Sequence, residues 1–136
     1  MSLHDCSVTM PADAPELPGY TNLVLIGQGG LGRVYRGVRA STGGVVAIKE
    51  LHDVTQGSPA WHRATREVDA MLRLKGHSNV VSVEEIVQLD GHPFIVMEFL
   101  SGGSLFDLVQ RRVLSVAETI LVGHQVTSAL VAAHRV

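Results

Sequence analysis

Apolar and polar positions fall into short strand-like blocks up to about residue 100, broken by one helical stretch. Leu23-Val24-Leu25-Ile26 is an apolar run ending at Gly27, a strand candidate. Glycine is dense from Gly27 to Gly32, and Arg33 to Arg39 then resumes a strand pattern. Thr42-Gly43-Gly44 is a turn, and Val45 to Leu51 is β-branched and apolar. Three strands joined by two glycine turns predict an antiparallel meander. Ser58-Pro59 then opens a helix, because Ser caps well and Pro suits the first helical position. Trp61, Ala64, Val68, Met71 and Leu72 share one face at a period of about 3.6 residues, and Gly76 closes the helix. Val80 to Leu89 and Pro93 to Leu100 predict two further strands around the hairpin signal Asp90-Gly91. Ser101-Gly102-Gly103 breaks the chain. Ser104 caps a short helix with Asp107 in its first turn and Arg111-Arg112 in its last, which suits the helix dipole. Ser115-Val116-Ala117-Glu118 is a capping box that starts a helix running to Val136. Residues 1–19 hold Pro11, Pro15 and Pro18 with little periodicity and read as a flexible leader.

The 136 residues amount to one domain at most, and a hydrophobic content of 46% with 18% charged residues excludes a disordered chain. The net charge of −2 gives no electrostatic reason to expect nucleic acid or an anionic membrane as partner. Cys6 stands alone, so neither a disulfide framework nor a cysteine-based zinc site is expected. The seven histidines show no close pair at ligand spacing, and no metal site is expected. No Lys or Arg precedes Arg33, so a secretory signal is not expected. No uncharged apolar run reaches the ~18 residues of a membrane span. The expected location is the cytoplasm.

Gly27-Gln28-Gly29-Gly30-Leu31-Gly32 fits G-x-G-x-x-G. Glycines let backbone N–H groups approach phosphates closely, but an ordinary hairpin turn accounts for them equally well. A dinucleotide-dependent oxidoreductase would require a helix after the glycines, where a strand pattern stands instead. Lys49 shares a strand face with Val45 and Ala47, and it is one of two lysines against nine arginines. A compact ammonium suits phosphate contact, while a solvated strand end is the plainer alternative. On a helical wheel Glu67 falls between Met71 and Leu74, which predicts an inward carboxylate with Lys49 as partner. A surface position is the alternative.

Together these residues resemble the N-terminal half of a protein kinase. The resemblance rests on Gly27-x-Gly29-x-x-Gly32-x-Val34, Val46-Ala47-Ile48-Lys49 and a helix bearing Glu67. It extends through His77-Ser78-Asn79-Val80-Val81, Phe94 to Leu100 and Ser101-Gly102-Gly103-Ser104-Leu105 to the end of the chain. The wording of the glycine stretch looks most like bacterial Ser/Thr kinases of the eukaryotic type. It implies an α+β fold, with a small lobe of five antiparallel strands plus one helix over residues 20–100 and the hinge at its end. Residues 101–136 would begin the helical large lobe.

The resemblance also assigns roles. Lys49 and Glu67 would form the catalytic ion pair, with Lys49 on the α- and β-phosphates of ATP. Backbone groups of Gly27, Gln28, Gly29, Gly30, Leu31 and Gly32 would cover the phosphates. Ile26, Val34 and Ala47 would enclose the adenine, with Met97 as gatekeeper. The Glu98 carbonyl and the Leu100 N–H would meet the adenine edge, and Ser104 or Asp107 would neighbour the ribose. The family's His-Arg-Asp catalytic loop and Asp-Phe-Gly metal motif are not among these residues, and His134-Arg135-Val136 does not begin the former. The expectation is a fragment of an ATP- and Mg²⁺-dependent Ser/Thr kinase, inactive alone. The alternative is a naturally short, pseudokinase-like module that binds nucleotide or docks on a kinase. The helix from Ser115 is apolar almost all round, which predicts that a larger core should bury it.

Overall fold

The computed structural model describes residues 14–30 and 32–136. Leu31 and residues 1–13 of the expected leader lie outside the described residues. The elements are β1 (Tyr20–Gly29), β2 (Gly32–Arg39), β3 (Val45–Leu51), α1 (Pro59–Arg73), β4 (Val83–Leu89), β5 (His92–Glu98), α2 (Leu105–Arg111) and α3 (Val116–Ala133). The strands form one five-stranded sheet in the order β1-β2-β3-β5-β4, with every neighbouring pair antiparallel. This is the small-lobe architecture read from the sequence, followed by two helices.

Strand alternation divides the core between the two faces of the sheet. One face collects Tyr35, Val46, Ile48, Phe94 and Val96 with Leu17, Tyr20 and Leu23 from the chain's start. Leu17 is 2% exposed and its carbonyl accepts the Tyr20 N–H at 3.1 Å. The expected loose leader therefore needs correcting: by Leu17 the chain already belongs to the core, because an apolar side chain among the prolines fills this face. On the other face Val68 of α1 packs with Val83 and Ile95, flanked by Leu51, Met71, Ile86 and Met97.

The local signals work as their chemistry requires. Ser58 accepts the Trp61 N–H at 3.1 Å and caps α1, with Pro59 as first residue. Asp90 and Gly91 both have positive φ, 52° and 79°, the pairing a tight primed hairpin turn demands. Strand β4 starts at Val83 rather than Val80, because the Val80 N–H closes a turn onto the His77 carbonyl at 3.2 Å. Capping boxes start both α2, through Ser104 and Asp107, and α3, through Ser115 and Glu118.

Charged side chains tie the elements together. Arg39 at the end of β2 pairs with Glu84 and, at 2.7 Å, with Glu85 on β4, while its guanidinium lies 5.2 Å from the Tyr20 ring centroid. The Tyr20 hydroxyl donates to the same Glu85. Burial, reinforced by that carboxylate acceptor, pushes the Tyr20 phenol up to about 12. The hydrogen bond from Tyr20, with that from Arg39, holds the Glu85 carboxyl below its usual value. Farther on, Arg112 grips Glu118 with two hydrogen bonds of 2.9 and 2.7 Å and locks α2 to α3.

Among the described residues α3 is long and apolar enough to cross a membrane by length and composition, and none of it is buried. Ile120, Leu121, Val126 and Leu130 are each more than half exposed. Glu118 and Arg135 bound the uncharged stretch of this helix, which therefore stays short of a full span.

Candidate nucleotide site

The glycine stretch forms the hairpin between β1 and β2. Gly27 pairs with Val34, Gln28 with Arg33 and Gly29 with Gly32. The register slips between Leu25 and Gly27, so Ile26 is an extra residue at a bulge, 50% exposed. Gly32 has φ +134°, and a Cβ there would collide with the Glu50 carbonyl of β3. Its lack of a side chain lets β2 lie against β3. Gly29 and Gly30 differ: a Cβ on either would meet nothing within 4 Å. Gly32 closes the sheet, whereas Gly29 and Gly30 have open space where a side chain would stand.

Val34 pairs with Lys49, Arg36 with Ala47, and Ala47 with Met97. Paired residues share a face, so Val34, Ala47, Lys49 and Met97 line one side of the sheet. Ala47 is buried, while Val34, Lys49 and Met97 are half-buried. Met97 also packs on the cluster around Val68. The Lys49 strand position thus adjoins a small apolar surface on the same sheet face.

Glu67 departs from the sequence reading. It is exposed, and no ion pair joins it to Lys49 among the described residues. The reason lies in the wheel's centre. The buried face of α1 is centred on Val68 at 1% exposure, not on the arc between Met71 and Leu74. At about 100° per residue Glu67 stands a quarter-turn from that centre, at the solvent boundary. Leu72, expected on the apolar face, is 38% exposed, which the wheel does not account for.

The chain segment after β5 is held from two sides. The Ser82 N–H donates to Glu98 Oε1 at 2.7 Å, and the Glu98 N–H donates to the Ser82 carbonyl at 3.0 Å. Phe99 lies under Arg36 of β2, with 5.7 Å from guanidinium carbon to ring centroid. Leu100 is 63% exposed just beyond. Sequence reasoning named Glu98 and Leu100 but missed Ser82 and Arg36, whose contacts join distant positions with no local pattern. Ser104 and Asp107 are engaged in capping α2. Their mutual hydrogen bonds, side chain first and backbone second, hold the Asp107 carboxyl below its usual value.

A groove of about 650 Å³ lies away from the glycines, between residues 78–81, Glu98, Leu100 and the Val122–Ala133 side of α3, and adjoins the segment after β5 through Glu98 and Leu100. It is lined mainly by aliphatic residues and lacks the ammonium and glycine backbone of the other site. Beside it, His77 Nε2 stands 3.4 Å from Ser128 Oγ and links this turn to α3.

The protein kinase domain family matches residues 20–136. The chain is 40% identical over 135 residues to the serine/threonine-protein kinase PknK of Mycobacterium tuberculosis, covering 97% of this chain and 12% of that protein. It is 35% identical over 109 residues to the serine/threonine-protein kinase Pkn1 of Myxococcus xanthus, covering 80% of this chain and 16% of that one. A plant relative, the CBL-interacting serine/threonine-protein kinase 16 of Arabidopsis thaliana, is 37% identical over 89 residues, 64% of this chain and 19% of its own length. The chain thus spans less than a fifth of these relatives. The family match includes α3, which places that apolar helix inside the kinase domain. With the five-stranded sheet, the glycine hairpin and Lys49 in register, the chain belongs to the protein kinase family, and it is similar to the N-terminal part of eukaryotic-type Ser/Thr kinases.

Proposed function

We propose that the whole protein transfers the γ-phosphoryl group of ATP to a Ser or Thr hydroxyl of a protein substrate. In this reading residues 20–100 supply the nucleotide-holding lobe and residues 101–136 begin the lobe that receives the substrate. The single observation that supports it best is Lys49 beside Val34 and Ala47 on the sheet face below the open glycine hairpin. ATP supplies the transferable group, and Mg²⁺ would be held by residues outside the stretch seen here. Lys49 places a positive charge for the α- and β-phosphates, and the backbone from Gly27 to Gly32 offers N–H groups to the phosphate oxygens. Val34, Ala47 and Met97 exclude water from the adenine, whose edge would meet the Glu98 carbonyl and Leu100 N–H. With Glu67 turned to solvent, we read the arrangement as an inactive-like one in which Lys49 awaits its partner.

No His-Arg-Asp loop and no Asp-Phe-Gly occur in these 136 residues, so we expect no phosphoryl transfer from the chain alone. Calorimetry with ATP tests the reading. Weak binding, lost in Lys49→Met and little changed by Mg²⁺, is the expected result. No binding in the wild type, or tight binding that requires Mg²⁺, would count against it.

A further inference from the structure

The segment from Glu98 to Leu100 is where the proposed site would meet the adenine, and its position is set by two contacts that the motif pattern does not contain. The backbone of Ser82, just before β4, holds Glu98: its N–H donates to the Glu98 carboxylate and its carbonyl accepts the Glu98 N–H. On the opposite side Arg36, which pairs with Ala47 on the site face of β2, covers the Phe99 ring at 5.7 Å. Arg36 and Phe99 are both half-buried, so the guanidinium is partly shielded from water. An arginine that lies on an aromatic face restrains the ring it covers, and planarity makes it better suited to this than lysine.

We propose that Arg36 is a positioning residue for nucleotide, acting through Phe99. It holds the backbone between Glu98 and Leu100 at a fixed distance from β2, and with it the spacing between the adenine edge and Ala47. The inference rests on the nucleotide reading given above and assigns to β2 a share of the hinge that the glycines and Lys49 do not explain. The restraint is local to the adenine end. It predicts a loss of affinity that follows the base and not the phosphates.

The test measures binding of ATP, adenosine and inorganic triphosphate to the 136-residue chain and to Arg36→Ala, Arg36→Lys and Phe99→Leu. A cation–aromatic contact of this exposure corresponds to a change of about two- to five-fold in affinity. ATP and adenosine should weaken by that factor in Arg36→Ala and in Phe99→Leu, with triphosphate unchanged. The double variant should lose no more than either single one, since both remove the same contact. Arg36→Lys should recover only part of the loss. Equal loss for triphosphate, or full recovery by lysine, would show that Arg36 acts as a plain positive charge and would overturn the proposal. Amide hydrogen exchange at Glu98, whose N–H donates to the Ser82 carbonyl beside the covered ring, separates this inference from the reading it rests on when measured in the ligand-free chain. Faster exchange in Arg36→Ala is expected, and unchanged exchange would overturn the positioning role whatever the wild type binds. Failure of the wild type to bind either ATP or adenosine would overturn the nucleotide reading instead.

Discussion

Two glycines in one hairpin illustrate how differently the same residue type can be used. Gly32 carries φ +134° and faces the Glu50 carbonyl, whereas a Cβ on Gly30 meets nothing within 4 Å. Gly32→Ala should cost more than about 1 kcal/mol, because both the backbone conformation and the close approach of β2 to β3 are lost. Gly30→Ala should stay within about 0.5 kcal/mol. Urea denaturation of the two variants checks the contrast, and equal effects would refute it. Glu67 gives a second test at this scale. Its exposure means that Glu67→Ala should shift stability by no more than about 0.5 kcal/mol. A cost of several kcal/mol would show that the carboxylate is paired in solution after all.

At the scale of elements, α3 is started by a carboxylate in an unusual position. Glu118 is held down to about 2 by the Arg112 guanidinium first and the Ser115 N–H second, from an ordinary value of 4.5. The unfolded chain binds a proton at this site as pH falls below 4.5, while the folded one resists until about 2. The contribution of the cap is therefore complete above pH 4.5 and is lost as pH falls toward 2. Helix content followed by circular dichroism should show this acid loss in the wild type. In Glu118→Gln the same loss should be absent, with helicity lower at neutral pH. Capping boxes, turns and strand blocks were all legible in the sequence because each is fixed by residues within a few positions. Strand alternation also made the shared face of Ala47 and Lys49 legible, whereas Val34 and Met97 were named from the family resemblance and only the register puts them on that same face. The orientation of Glu67 was not legible, because the centre of α1's buried face depends on which residue meets Val83 and Ile95 across the sheet. The Arg39–Glu85 and Arg36–Phe99 contacts were not legible either, since only the closed fold brings such positions together.

For the molecule as a whole, the sheet has a core on each face and α3 has none of its residues buried. Each large aliphatic side chain is worth roughly 1.5–3 kcal/mol when fully buried. With Ile120, Leu121, Val126 and Leu130 more than half exposed, the isolated chain should self-associate or bind a hydrophobic dye. Light scattering and dye fluorescence would check this, and a dye-negative monomer with α3 protected from hydrogen exchange would contradict it. Extension of the chain through the rest of the kinase domain should abolish the dye signal.

The irregular strands of the sheet determine what form such association takes. Extra residues are inserted in β1, near Asn22 and Ile26, and in β4 at Glu84, while the inner ladders β2–β3 and β3–β5 run without a slip. β1 and β4 are the two outermost strands, and Arg39 and Tyr20 draw one end of each toward the other through Glu84 and Glu85. A bulged strand whose end is occupied by charge cannot be extended in register by a neighbour's backbone. Sticking through α3 should therefore yield amorphous, reversible clusters and not fibrils. Thioflavin fluorescence should stay flat while light scattering rises, and Arg39→Ala, which frees the strand ends, is the substitution that should raise it.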